Sequence, residues 1–380
     1  MCKSYELKQS CRFFYPDRPC IYHKIDGQKC SYCCRYEPAD FRILVIKLGA
    51  LGDVLRTTAI CEPLKALYPS SLLTWITEED AVPILLGNGF VDRIVVKSSA
   101  LQYILLFKFD LLINLDLDKD ALIFAGLAKT KEKRGFWFDE NGIIQFSSDS
   151  AKKYFLLSHD DDLKKENKKT YQSFVSEIAG LPGYGEIIVP VSDSSKEHAK
   201  QFAEKNKLIG NQIVGAIVGT GNKWITKRWP EKHFVKLFSI LKDFKILVFG
   251  GYQEKDLMQS IISKSGKNVI NTGHMNSIDQ FFGLLNLCDV VVCSDTFALH
   301  AAIGLKKRVV ALFGPTSANE IEMYGRGEKI VSDMPCICCY KRICEKSSTC
   351  METITPKRVA EAIRRLLDEK RKDRCDNSDV

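Results

Sequence analysis

Short apolar runs alternate with stretches of helical spacing along most of this chain. In the first half, Arg42 to Ile46, Leu72 to Ile76, Arg93 to Val96 and Leu111 to Leu115 read as strands. Between them, Val54 to Tyr68, Ala81 to Leu86 and Ala121 to Lys129 carry apolar residues at helical spacing. Pro63 should kink or split the first of these. Arg134 to Trp137 starts a further strand. Residues 138–190 are less regular: Tyr171 to Ala179 reads as a helix, and the charge-dense Asp160 to Lys169 as a solvated loop or helix face.

The second half repeats the alternation. Strands are expected at Ile213 to Val218, Lys245 to Phe249, Val269 to Ile270, Val290 to Cys293 and Arg308 to Phe313. Helices are expected at Ser195 to Asn206, Glu231 to Lys242, Lys255 to Ser265, Ile278 to Leu287, Phe297 to Gly304 and Thr355 to about Lys370. The last ten residues are polar and should fray. Strand–helix alternation implies parallel sheets covered on both faces. At 380 residues the chain suits two such units in tandem. Ligands of open α/β sheets bind at the carboxyl ends of the strands, so two units facing each other would enclose a cleft.

Composition adds bounds. The 45% hydrophobic and 27% charged content belongs to a soluble globular chain. The most apolar region, Leu101 to Ala128, is broken by Lys108, Asp110, Asp116, Asp118, Lys119 and Asp120, so no run crosses a bilayer. The N-terminus is polar and cysteine-rich, unlike a signal peptide, and a cytoplasmic location is expected. The net charge of +8 is modest; Lys and Arg cluster locally, at Lys129 to Arg134, Lys164 to Lys169 and Arg364 to Arg374. No nucleic-acid-binding pattern appears, so nucleic acid is not expected as a partner.

Cysteine is the exception: there are fifteen, six before residue 35 and five from Cys336 to Cys350. Two clusters in a cytosolic chain suggest metal sites more than disulfides. Cys336, Cys339, Cys344 and Cys350 have the spacing of a closed four-thiolate knuckle with a structural role. In the 1–40 extension, Cys30 and Cys33 form a CxxC, and Cys11 and Cys20 would complete a second set around zinc or an iron–sulfur cluster. The alternative is reduced surface or packed thiols for the extension, and reduced cysteines in a surface hairpin for Cys336 to Cys350.

Four strand-end motifs carry candidate chemistry. After the first strand comes Ile46-Lys47-Leu-Gly49-Ala-Leu-Gly52-Asp53-Val-Leu-Arg56-Thr57. A strand that breaks on glycines and restarts as a helix aims N–H groups and one carboxylate at a common point; a plain turn with Asp53 as helix cap is the alternative. Gly219-Thr220-Gly221-Asn222, followed by Lys227-Arg-Trp-Pro230, offers hydroxyl, amide and N–H donors and a cation to phosphate oxygens. Gly250-Gly251-Tyr-Gln-Glu254 places a carboxylate where nucleotide sites hold ribose hydroxyls. Ser294-Asp295-Thr296 opens a helix whose N-terminus favours a pyrophosphate, with His300 one turn in. No GxGxxG follows any strand, which argues against a dehydrogenase.

The set IKLGALGDVLRT, KRWP, DTxxxH and FGPT, in this order and spacing, resembles glycosyltransferase family 9, over roughly residues 41–368. That family contains the ADP-heptose:lipopolysaccharide heptosyltransferases. The resemblance implies the GT-B fold: two Rossmann-like α/β domains facing across a cleft, here an acceptor domain at 41–190 and a nucleotide-sugar domain at 191–355. The cysteine-rich extension would precede them, and a C-terminal helix and tail, 356–380, would follow. It implies inverting, metal-independent transfer of heptose from ADP-heptose to a lipopolysaccharide-core or related lipid-linked glycan, with no catalytic cofactor and peripheral contact with the inner membrane.

By position, the resemblance makes Asp53 the general base. Lys227, Thr220 and the N–H groups near Thr296 would stabilise the leaving diphosphate. Gly221, Asn222, Gly250, Asp295 and His300 would line the donor, and Glu254 would bind the ribose. Lys47, Gly49, Gly52 and Arg56 fall on the acceptor side. Arg56 stands where the family often has His, Phe297 where it often has Gly, and Lys223 to Thr226 are inserted before Lys227. Two readings stay open beside this one: a GT-B enzyme with another nucleotide-sugar, and a metal-binding, non-catalytic relative.

Overall fold

The computed structural model describes residues 6–221 and 223–376, with side chains through residue 369. Six strands form the first sheet: β1 (Phe41–Ile46), β2 (Ser71–Thr77), β3 (Arg93–Val96), β4 (Lys108–Asn114), β5 (Lys129–Phe138) and β6 (Ile144–Phe146). Six form the second: β7 (Ile213–Ile217), β8 (Lys245–Phe249), β9 (Val269–Asn271), β10 (Val290–Ser294), β11 (Arg308–Phe313) and β12 (Gly327–Val331). Their orders are β3-β2-β1-β4-β5-β6 and β12-β11-β10-β7-β8-β9. Counted from the first strand of each half, the two orders are the same. Only β6 runs antiparallel, against β5. Strands buried on both faces favour unbroken apolar runs, and β7, Ile-Val-Gly-Ala-Ile, is one; β2 is buried throughout as well, although Ser71, Thr74 and Thr77 interrupt its apolar residues.

In each sheet the strand order reverses at one place, between β1 and β4 and between β7 and β10. Loops leaving the strand ends there diverge and open a crevice. The loop 47–50 follows β1, Asp116 lies just past β4, Gly219 to Lys227 follow β7, and Asp295 follows β10. The two crevices face each other. Helix Phe297–Gly304 of the second half packs on helix Leu51–Thr57 of the first. The Tyr171 N–H donates to the Glu320 carbonyl at 2.9 Å, and Arg326 clamps Glu186 through two bonds of 2.8 and 2.6 Å. One hydrophobic core runs through both halves, from Ile43 and Trp75 to Leu299 and Phe313. A second core lies under the C-terminal helix Pro356–Asp376, which packs on β10, β11 and β12 and contributes Val359, Ile363 and Leu367. That helix continues past Lys370, so the expected fraying does not begin there.

Several elements differ from expectation for local reasons. The Val54 to Tyr68 segment does split, into Leu51–Thr57, a 3-10 turn Thr58–Ile60 and Cys61–Leu67. Pro63 is the third residue of the last helix, where its missing N–H is not needed. Helix Leu51–Thr57 starts early enough to include Gly52 and Asp53, so Asp53 lies inside its first turn and is not its cap. Lys129 to Arg134 form the first part of β5, paired with β4. Helices Lys97–Leu106 and Asp149–His159, and strands β6 and β12, were not expected, while the charge-dense stretch is the solvated helix Asp161–Glu166. Among the described residues, no helix is long and apolar enough to cross a membrane.

The extension lies against the β2–β3 side of the first sheet. Arg12 joins Asp92 (3.0 Å), Glu37 (2.9 Å) and the Ser71 carbonyl (2.7 Å). Arg18 and Arg35 lie over the rings of Tyr15 and Tyr22. Polar clamps and cation–π contacts hold this segment where a metal staple was expected. Among the described residues, no three His, Cys, Asp or Glu side chains are arranged to hold a metal ion. Neither the Cys11, Cys20, Cys30, Cys33 set nor the Cys336, Cys339, Cys344, Cys350 knuckle is assembled. Cys350 is drawn under the loop after β11, against Gly314. Burial, and then its neighbours Cys339, Cys336 and Cys344, push its thiol up to about 11.

Candidate active site

A cavity of about 1090 Å³ lies between the halves. Gly52, Asp53 and Arg56 line it from the first half; Thr220, Gly221, Lys227, Gly250, Glu254, Asp295, Thr296 and His300 line it from the second. The motifs picked out along the sequence are therefore brought to one place. Asn222 lies outside the described residues.

On the first wall, Arg56 grips Asp53. Its Nε and one terminal nitrogen donate to Asp53 Oδ1 at 2.9 and 2.8 Å, while the guanidinium lies 3.6 Å from the Tyr171 ring centre. Oδ2 of Asp53 has no hydrogen bond among the described residues, and the side chain is 36% exposed. Burial alone would raise its pKa; the positive field of Arg56, then of Lys47, overcomes this and holds the carboxyl below its ordinary value. Lys47 is itself buried, 3.4 Å from Asp116. Burial would lower its pKa, but Tyr171, Asp116 and Asp53 keep the ammonium above its usual range. Asp116 was noted in the sequence only as a charge that interrupts an apolar stretch. Here its Oδ2 accepts the Leu48 and Gly49 N–H groups at 2.9 and 3.4 Å, and so fixes the loop that carries Asp53.

Gly49 has open space where a Cβ would stand, which suits an approaching ligand. Gly52 differs: a Cβ there would meet His300 Cδ2 at 3.0 Å. Its lack of a side chain admits the facing helix, so the glycine serves contact between the halves.

On the second wall, Lys227 Nζ donates to Asp295 Oδ2 at 2.8 Å and to the Asp295 carbonyl at 3.2 Å. Burial would raise the Asp295 carboxyl; Lys227 and then His300 hold it below its ordinary value. The Thr220 hydroxyl donates to the Trp224 carbonyl at 2.9 Å, shaping the loop around Lys227. Glu254 is buried, and its two oxygens accept the Gly221 and Gly251 N–H groups at 3.0 Å each. A Cβ on Gly219 would overlap the Glu254 side chain, so this glycine is required by the carboxylate and not by a turn. Burial, joined by Arg56, pushes the His300 imidazole down to about 4, so it is neutral at pH 7. The Thr296 hydroxyl and His300 Nδ1 have no hydrogen-bond partner among the described residues. The Phe297 ring, where the family often has Gly, packs 5.9 Å from Phe281 and from Phe282.

The sequence reading missed two groups that line the cavity. Thr272, His274 and Asn276 follow β9 and sit beside Phe249 and Phe281. Ser317, Glu320 and Tyr340 line another part, next to Thr316 of the FGPT motif. A polar residue after a short strand and a tyrosine inside a cysteine cluster carry no motif of their own.

The sequence model of glycosyltransferase family 9 (heptosyltransferase) matches residues 108–349. That is well over half of the chain. The chain belongs to glycosyltransferase family 9. It is therefore a glycosyltransferase. The lipooligosaccharide heptosyltransferase 2 of Haemophilus influenzae is 22% identical over 308 residues, 72% of this chain and 84% of that one. Among solved structures, the family 9 glycosyltransferase of Veillonella parvula superposes with a TM-score of 0.71 at 18% identity, covering 88% of this chain and 99% of that one. E. coli heptosyltransferase WaaC with ADP-2-deoxy-2-fluoro heptose gives 0.56 at 14% identity, covering 87% and 100%. These likenesses establish the GT-B fold for the family 9 chain described here.

Proposed function

We propose that this glycosyltransferase moves heptose from ADP-heptose to a lipopolysaccharide-core or related glycan, with inversion at the anomeric carbon. The observation that carries this reading is the division of the cavity. The free carboxylate oxygen of Asp53 belongs to one wall; Lys227, Gly221 and the N-terminus of helix Phe297–Gly304 belong to the other. A base on one side of the sugar and a diphosphate on the other favour a single displacement from the face opposite the leaving group, and that inverts the centre.

In this mechanism Asp53 Oδ2 takes the proton of the acceptor hydroxyl as its oxygen attacks C1. The C1–oxygen bond to the diphosphate breaks, and the charge on ADP is met by Lys227 and by N–H groups at the helix start. These groups supply the charge stabilisation that a divalent cation could give, so the proposed step needs no metal. Thr272, His274 and Asn276, beside Phe249 and Phe281, suit a nucleoside base. The supporting relatives are heptosyltransferases, one of them solved with an ADP-heptose analogue.

The decisive assay is transfer from ADP-heptose by the wild type and by Asp53→Asn. The variant should keep donor affinity and lose about two to four orders of magnitude in kcat. Full activity in that variant sinks the assignment of the base. A stronger thermal shift with UDP- or GDP-sugars than with ADP-heptose would favour the alternative donor.

The same reading places the enzyme in the cytoplasm against the inner membrane. Leu101, Leu105, Leu106 and Leu127 are exposed beside Lys108 and Lys129, a mixed apolar and basic surface. Co-sedimentation with anionic vesicles, reduced in Leu101→Glu/Leu105→Glu, is expected; equal sedimentation of both forms counts against membrane contact.

A further inference from the structure

The cysteine-rich loop after β12 holds no assembled metal site, yet it reaches the catalytic cavity. Its backbone runs along the loop that follows β11: the Cys338 N–H donates to the Gly314 carbonyl at 2.9 Å, and the Tyr340 N–H to the Pro315 carbonyl at 2.8 Å. Thr226, in the loop carrying Lys227, donates to the Lys341 carbonyl at 2.9 Å. Arg342 lies 5.7 Å from the Trp224 ring centre. These contacts deliver Tyr340 to the wall of the cavity. Its hydroxyl donates to Glu320 Oε1 at 3.1 Å and accepts the Ser317 N–H at 3.2 Å. Lys164, from the first half, lies over its ring at 4.5 Å.

We infer that this corner, Thr316, Ser317, Glu320 and Tyr340, reads the hydroxyl groups of the donor's sugar, with Glu320 and Tyr340 as specificity-determining residues. The inference rests on the glycosyl-transfer reading above.

Three observations support it. The first is the chemistry of the lining. The corner lines the cavity with hydroxyls and a carboxyl group; Lys164, over the Tyr340 ring, is not part of that lining, and Lys227 lies with Asp295. A diphosphate is repelled by a carboxylate and drawn to the lysine. A neutral polyol, whose hydroxyls both donate and accept, suits the corner.

The second is unmet hydrogen bonding. The Thr316 side chain is buried, and its hydroxyl has no partner among the described residues. Glu320 uses Oε1 for Tyr340, while Oε2 accepts nothing among the described residues. A buried polar atom such as the Thr316 hydroxyl is rarely left unpaired without a reason, and a bound hydroxyl satisfies it while Glu320 Oε2 stays open to a second one.

The third is position. The Glu320 carbonyl accepts the Tyr171 N–H at 2.9 Å, and the Tyr171 ring carries Arg56, which holds Asp53. The corner therefore sits at the level of the reacting carbon and not at the nucleoside end. Burial also raises the Glu320 carboxyl above its ordinary value, which widens the hydroxyl patterns it can meet.

The test uses the full chain and its Glu320→Gln and Tyr340→Phe variants. Calorimetry gives the Kd of ADP and of ADP-heptose, and steady-state transfer gives kcat and KM for donor and acceptor. Glu320→Gln keeps an acceptor for the Tyr340 hydroxyl, so the fold of the corner is preserved. The expected result is ADP affinity within about twofold of wild type and ADP-heptose affinity weakened about tenfold. Discrimination between ADP-heptose and ADP-glucose should narrow in both variants. Equal weakening of ADP and ADP-heptose, unchanged affinity for both, or a change confined to the acceptor KM overturns the inference. If the wild type itself binds ADP but not ADP-heptose, the transfer reading is at fault and the inference falls with it.

Discussion

At the scale of single residues, the site is set by who holds each charge. Asp53 titrates low because Arg56 and Lys47 face it. A base must be ionised to work, so the acid limb of kcat/KM should fall below about pH 4, the ordinary carboxylate value. Replacing Arg56 by Ala removes the largest of these positive fields. The limb should then move to higher pH in a pH–rate profile; an unmoved limb would mean that Asp53 is not the titrating group. Gly219 makes a separate prediction. Gly219→Ala drives a methyl group into Glu254, which ties Gly221 to Gly251. Nucleotide affinity, read by calorimetry, should drop about tenfold or more while the fold persists. The glycines and carboxylates themselves were legible in the sequence, because turn chemistry and strand ends mark them. Their partners were not. Asp116 gripping the first loop, Arg56 on Tyr171 and Glu320 on Tyr340 span 20 to 115 residues of chain, and no local spacing encodes such contacts.

At the scale of elements, apolar runs announced the buried strands, and four elements matched their expected bounds (β3, β8, β11 and helix Phe297–Gly304). The misses share a cause, the lack of a clear two-sided pattern. Helix Lys97–Leu106 leaves Leu101, Leu105 and Leu106 exposed, so no polar face marks its period. Strand β12, at a sheet edge, is Gly-Glu-Lys-Ile-Val and carries too few apolar residues to stand out. The contact between helices Leu51–Thr57 and Phe297–Gly304 has its own pH signature. Unfolded histidine titrates near 6.5, and buried His300 near 4. Between those values the unfolded chain binds the extra proton, so stability is complete above about pH 6.5 and is lost as pH falls toward 4. The loss is bounded at about 3 kcal/mol. Thermal unfolding followed across that window should show a slope that His300→Gln flattens; the same slope in both proteins would place the proton elsewhere.

At the scale of the whole molecule, two sheets of one strand order present their reversal points to each other, and every catalytic candidate stands on a loop or helix start leaving one of them. The alternation of elements made this two-part plan visible along the chain. The cysteine spacing announced a four-thiolate knuckle that is not assembled among the described residues, where Cys350 instead packs against Gly314. The charges across the cleft are already married: Arg56 to Asp53, Lys227 to Asp295, Lys47 to Asp116. A nucleotide-sugar entering this cleft exchanges partners and does not create new pairs from solvated ions. Few small counter-ions are released in such an exchange. Binding of ADP should therefore depend only weakly on ionic strength, with Kd changing less than about threefold between 50 and 300 mM salt in a calorimetric titration. A steep dependence would show that these pairs open before the ligand arrives. Retention of the diphosphate then depends on which partner each ion prefers, and a sugar phosphate of the wrong shape, unable to reach both lysine and helix start, leaves the original couples intact.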